Sequence, residues 1–140
     1  MASRKQKYPD TETFHFHNQN PKGRITGDCV YRAISYATGV DYNDIVLEIA
    51  YRQIETGYCK DDKRTFEAIL EKHGFIKMPQ LKHIDGTKFT VREFVETHKT
   101  GLYVINMAQH LSVVEDGKNI DIWDCVKYGG CVGNYYVKAK

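Results

Sequence analysis

Apolar residues recur with the period of a helix between residues 29 and 95, and with that of a strand after Gly101. Val30, Ala33, Ile34 and Ala37 fall at i, i+3, i+4 and i+7, one stripe of a helix that Gly39 closes as a left-handed stop. Asp41 starts a second helix, carrying Ile45, Val46, Ile49 and Ala50 up to Gly57. Asp61-Asp62 starts a third, with Phe66, Ile69, Leu70 and His73 before Gly74. Thr90-Val91-Arg92-Glu93 fits a capping box, threonine at the N-cap and glutamate three on, for a short helix bearing Val91, Phe94 and Val95.

Leu102–Met107 is an apolar run rich in β-formers and predicts a buried strand. His110–Val114 and Asn119–Asp124 flank the turn signal Glu115-Asp116-Gly117-Lys118, which predicts a hairpin. Tyr135, Tyr136 and Val137 supply a last strand. Thr13-Phe14-His15-Phe16-His17 alternates like a strand with both phenylalanines on one face, and Asn18–Gly23 reads as a loop. Helices followed by antiparallel strands give an α+β fold. Residues 1–12 are polar and are expected to form a flexible arm, with a single domain over 13–140.

A chain of 140 residues is long enough to bury about two thirds of its unfolded surface. The net charge of +2 is too small to argue for nucleic acid or a membrane surface, and no apolar run approaches the ~20 residues of a membrane helix. The basic start Met1–Lys7 has no apolar segment behind it, so it is not read as a signal peptide. The four cysteines (Cys29, Cys59, Cys125, Cys131) are therefore expected to be reduced thiols in a cytoplasm. His15, His17, Cys59, Cys125 and Cys131 lack the C-x₂₋₄-C spacing of structural zinc sites, and neither a metal nor another cofactor is implied. His73, His83 and His98 stand near element ends as solvated or capping residues, and Arg4, Lys5 and Lys7 as a solvated tail.

The candidate chemistry starts at Gly27-Asp28-Cys29. Asp28 is placed to cap the first helix through its carboxylate, leaving Cys29 at the first helical position. Unpaired amides and the helix dipole favour a negative charge there, and so a nucleophilic thiolate. An isolated cysteine at such a place would be read as packing; His110 and a later acid change that. Loop length decides which acid shares the histidine's face. A two-residue Asp116-Gly117 loop pairs His110 with Trp123 and brings Asp121; a three-residue, bulged loop pairs it with Ile122 and brings Asp124. The second arrangement also gathers Val114, Ile120 and Ile122 on one side, so Asp124 is the preferred partner and Asp121 the alternative.

A cysteine opening an early helix, a histidine heading a later strand and an acid one strand on resemble the papain-like cysteine peptidase superfamily, in particular its small bacterial and phage members. The resemblance rests on Gly27-Asp28-Cys29, His110–Val114 and Asp124 beside Trp123, and spans about residues 18–126. It implies a helical N-terminal half, with the nucleophile's helix packed on a C-terminal antiparallel sheet. It also implies a Cys29–His110–Asp124 triad and a thiol hydrolase or acyl-transferase acting on a peptide, isopeptide or amide bond of a peptide or protein substrate. The alternative is a non-catalytic protein on the same scaffold that binds a host or partner protein. The sequence departs from the family at Gly23, six before Cys29, where a side-chain amide usually serves the oxyanion. Asn20, then Gln19 and Asn18, are the candidates to replace it. Asp28 is a second departure, because an anion beside the thiolate opposes its ionisation.

Overall fold

In the computed structural model, which describes residues 8–139, β1 (Phe14–Phe16) is followed by α1 (Cys29–Thr38), α2 (Tyr42–Thr56) and α3 (Lys63–Lys72). Then come β2 (Phe75–Met78), α4 (Val91–Thr97), β3 (Leu102–Met107), β4 (His110–Glu115), β5 (Lys118–Asp121), α5 (Cys125–Tyr128) and β6 (Tyr135–Lys138). The strands form one sheet in the order β1-β5-β4-β3-β6-β2. The α+β class holds, but the sheet is mixed: β1 runs parallel to β5, and every other neighbouring pair is antiparallel. Hairpins govern only strands adjacent in sequence, and they could not report that β1, before the helices, and β2, between two of them, add the two edges.

Helices cover both faces of the sheet. On one, Val30 and Ile34 of α1, Ile45 and Ile49 of α2, and Phe66 and Leu70 of α3 pack with Val104, Leu111, Val113 and Tyr136. On the other, Val91, Phe94 and Val95 of α4 and Val126 of α5 meet Ile105, Val114 and Tyr135. Strand β4 is thus buried on both sides, which is why it reads as a nearly continuous apolar run with Ser112 inside it.

The helix stops at Gly39 and Gly57 are left-handed, with φ of 74° and 79°. Thr90 and Glu93 form the capping box expected of them. At α1, however, the Asp28 carboxylate makes no capping bond. It is held instead by side chains described below.

The β4–β5 connection has the two-residue form. Glu115 faces Lys118, and Asp116 and Gly117 both take positive φ, 51° and 77°. That is the pair of left-handed conformations a type I′ turn needs, and Asp-Gly is among its preferred sequences. The β5 strand then stops at Asp121, and the next residues turn into α5, so Asn119–Asp124 is not one strand. Of the N-terminal arm, residues 1–7, with Arg4, Lys5 and Lys7, lie outside the described residues. Its remainder is tied down by Asp10, whose carboxylate accepts from the Phe16 amide at 2.7 Å and meets His15 Nδ1 at 2.9 Å.

Candidate active site

Cys29 is the first residue of α1, where its own amide has no partner within the helix. Its half-buried thiol lies beside the His110 ring and the Leu111 amide, both of which act on its ionisation. A two-residue turn, Ala108-Gln109, joins Met107 to its partner His110. Gln109 sits there at φ 56°, a conformation that costs a non-glycine residue of order 1–3 kcal/mol and that delivers the histidine at the head of β4.

His110 Nε2 donates to Asp121 Oδ2 at 2.7 Å, which leaves Nδ1 as the ring nitrogen free to accept the thiol proton. Asp121 closes β5, and the two-residue register carries it to the level of Ser112. The same Oδ2 also accepts from Ser112 Oγ at 2.5 Å and from the buried Cys125 thiol at 3.5 Å. Its other oxygen accepts from Arg32 Nη1 at 2.8 Å and from the Ile122 amide at 2.7 Å. Arg32 Nε in turn donates to Asp28 Oδ1 at 2.7 Å, and Asp28 Oδ2 accepts from the Tyr42 hydroxyl at 2.7 Å.

The acid that reaches His110 is therefore Asp121, not Asp124. Asp124 accepts from the Val126 and Lys127 amides at 3.0 and 3.1 Å and caps α5. Preferring it meant setting the preference for an apolar side above the chemistry of the turn. A strand buried on both faces carries no such preference, so Asp-Gly alone decided the register.

None of the proposed oxyanion amides reaches the thiol. Asn20 Nδ2 folds back as expected but donates to Asp28 Oδ2 at 2.9 Å. Gln19 bridges Ser35 Oγ and His17 Nε2 at 2.9 and 2.6 Å, and Asn18 Nδ2 is spent on the Arg24 carbonyl at 3.0 Å. The carboxylate of Asp28, freed from capping, is what draws Asn20 away.

The sequence reading missed Arg32, Ser112 and Tyr42. For Arg32 a signal existed, since Asp28 and Arg32 stand at the i,i+4 spacing of a helical ion pair. A serine inside the apolar run of β4 was a second, weaker one.

The electrostatics follow from this wiring. Burial pushes the Cys29 thiol up, but the His110 and Leu111 hydrogen bonds, with the charges of His110 and Arg32, outweigh it and bring it below its usual value. Burial pushes His110 down, and its bonds to Asp121 and Cys29 reverse that, raising it to about 9. Burial likewise works against the Asp121 carboxylate, and His110 and Arg32 hold it ionised below the usual range. The anion beside the thiolate is compensated: Tyr42, Arg32 and Asn20 overcome burial to keep Asp28 low, while Arg32 faces it directly. The two shifts run in opposite directions, and both favour a thiolate–imidazolium pair.

The sulfur opens onto a cleft of about 720 Å³ lined by Phe66, Met107, Gln109, His110 and Trp123 among others. Among the described residues, one group brings three metal-ligating atoms within 4.8 Å of one another, on His110, Asp121 and Cys125. Those atoms are already hydrogen-bonded to each other, and burial beside Asp121 keeps the Cys125 thiol protonated, so the group behaves as a hydrogen-bond cluster. All four cysteines are free thiols, with Cys59 and Cys131 exposed. No helix among the described residues is long and apolar enough to cross a membrane. Compared with protein-family models, curated proteins and solved structures, the chain matches none.

Proposed function

We propose that this protein is a thiol enzyme of papain-like architecture, a hydrolase or acyl-transferase acting on a peptide, isopeptide or amide bond. The observation that carries this reading is the line Cys29–His110–Asp121, with the thiol beside the imidazole, the imidazole hydrogen-bonded to the carboxylate, and a cleft at the cysteine. His110 removes the thiol proton, and Asp121 fixes its tautomer and supports the imidazolium. The thiolate attacks the carbonyl carbon, and the Cys29 amide at the helix start faces the developing oxyanion; one such donor is worth about 3–4 kcal/mol. The imidazolium then protonates the leaving amine, and water or a second amine releases the acyl group from sulfur. Four unpaired cysteines fit a reducing, cytoplasmic setting.

The test is selective alkylation. Iodoacetamide at neutral pH should label Cys29 well ahead of the exposed Cys59 and Cys131, and His110→Ala should remove the lead. An activated p-nitrophenyl ester should leave an acyl adduct on Cys29, read by mass spectrometry. Equal labelling of the thiols together with no acyl adduct defeats the reading. One observation favours the second reading, a non-catalytic scaffold that binds a partner protein: Asn18, Gln19 and Asn20 are all engaged away from the sulfur. Rapid alkylation of Cys29 without any acyl adduct would support that reading.

A further inference from the structure

We propose that Arg32 is a positioning residue for the Cys29–His110 pair, tying the start of the nucleophile's helix to the acid that orients the imidazole. This inference rests on the thiol-enzyme reading above. Its basis is a closed circuit. Cys29 lies beside His110, His110 bonds Asp121, Asp121 bonds Arg32, Arg32 bonds Asp28, and Asp28 is the residue before Cys29. Acidic and basic groups alternate from Cys29 to Asp28, and these two ends, both acidic, are consecutive in the chain.

Three features give the guanidinium this role. Arg32 is only 6% exposed, and its fork spans two carboxylates through different nitrogens, Nε to Asp28 and Nη1 to Asp121. A lysine, a single point donor, would reach one of them at a time. Arg32 also takes Oδ1 of Asp121, so that Oδ2 is the oxygen left facing His110 and Ser112. Finally, a buried ion pair adds little stability over well-packed apolar residues, which makes stability a weak reason for this one. The other titratable groups facing the circuit are Tyr42 and Tyr31 by Asp28, Cys125 on Asp121, and Lys60, which interacts with Cys29 and is itself paired with Asp61.

The experiment follows the rate of Cys29 alkylation by iodoacetamide against pH, by mass spectrometry, in the full chain and in Arg32→Met and Arg32→Lys. Circular dichroism checks that each variant is folded. Arg32→Met should slow labelling at neutral pH about tenfold and move the midpoint up by about one pH unit. Arg32→Lys, with the charge but not the fork, should recover at most part of that loss. A folded Arg32→Met with the parent profile, or an Arg32→Lys that restores the profile in full, overturns the proposal. If Arg32→Met does not fold, the parent protein decides. Its Arg32 Nε–H and Nη–H resonances should shift together as His110 titrates and again when Cys29 is alkylated; resonances that stay fixed overturn the proposal. A parent Cys29 that labels no faster than Cys59 and Cys131 and takes no acyl adduct removes the thiol-enzyme reading itself, and this inference with it.

Discussion

The carboxyl end of β5 and the first turn of α5 each hold a buried aspartate, three residues apart, and the two do opposite things. Asp121 binds partners from distant parts of the chain, Arg32 on α1 and His110 and Ser112 on β4. Asp124 binds only the two amides that follow it. Both stand in sequence near Trp123. What separates them is where the strand stops, and that is set by a two-residue turn on the far side of β5. A carboxylate's task here is decided by register more than by its neighbours in sequence.

The contrast can be broken most forcefully at Asp121. Asp121→Ala strands a buried guanidinium and a buried imidazolium, and should cost about 3–5 kcal/mol in urea unfolding while abolishing the selective labelling of Cys29. Retained selectivity would mean that His110 does not need this acid.

A pH series gives the next largest effect. His110 is raised from its usual 6.5 to about 9 by its folded partners, so the stability it contributes is complete below about pH 6.5 and is lost as pH rises through about 9. Asp121 is depressed, so its contribution holds above the ordinary carboxylate range and disappears as pH falls below it. Unfolding free energy should therefore fall on the alkaline side by on the order of 3 kcal/mol, and an Asp121→Asn variant should show a flatter profile. The same slope in both proteins would place the alkaline loss elsewhere.

Asp124→Ala should do least. Loss of an N-cap costs about 1 kcal/mol, and the Cys29 alkylation rate should stay at the parent value. A large drop in that rate would return Asp124 to the site.

Much of this was legible in the sequence because the signals were local. The stripe Val30-Ala33-Ile34-Ala37, the stops at Gly39 and Gly57, the Thr90–Glu93 box and the Asp116-Gly117 turn all act through residues within a few positions of one another. Cys29 and His110 were legible because each sits at the start of an element. The acid was misplaced because β4 is covered on both faces, so its apolar residues do not say which side is inside. Asp28 was expected to cap its own helix, but Arg32 from that helix and Asn20 and Tyr42 from outside it take its oxygens instead. The edge strand β2 and the short α5 carry too few residues for periodicity to show.

The parallel pairing of β1 with β5 has a consequence for how the molecule comes into being. Phe14 lies against Asn119, so the edge of the sheet beside the thiol's helix cannot close until a stretch more than a hundred residues downstream has left the ribosome. Until then α1 has neither imidazole nor carboxylate to meet, and its sulfur is an ordinary protonated thiol. A nascent chain of this protein is chemically quiet, and its reactivity arrives only as the late strands take their places.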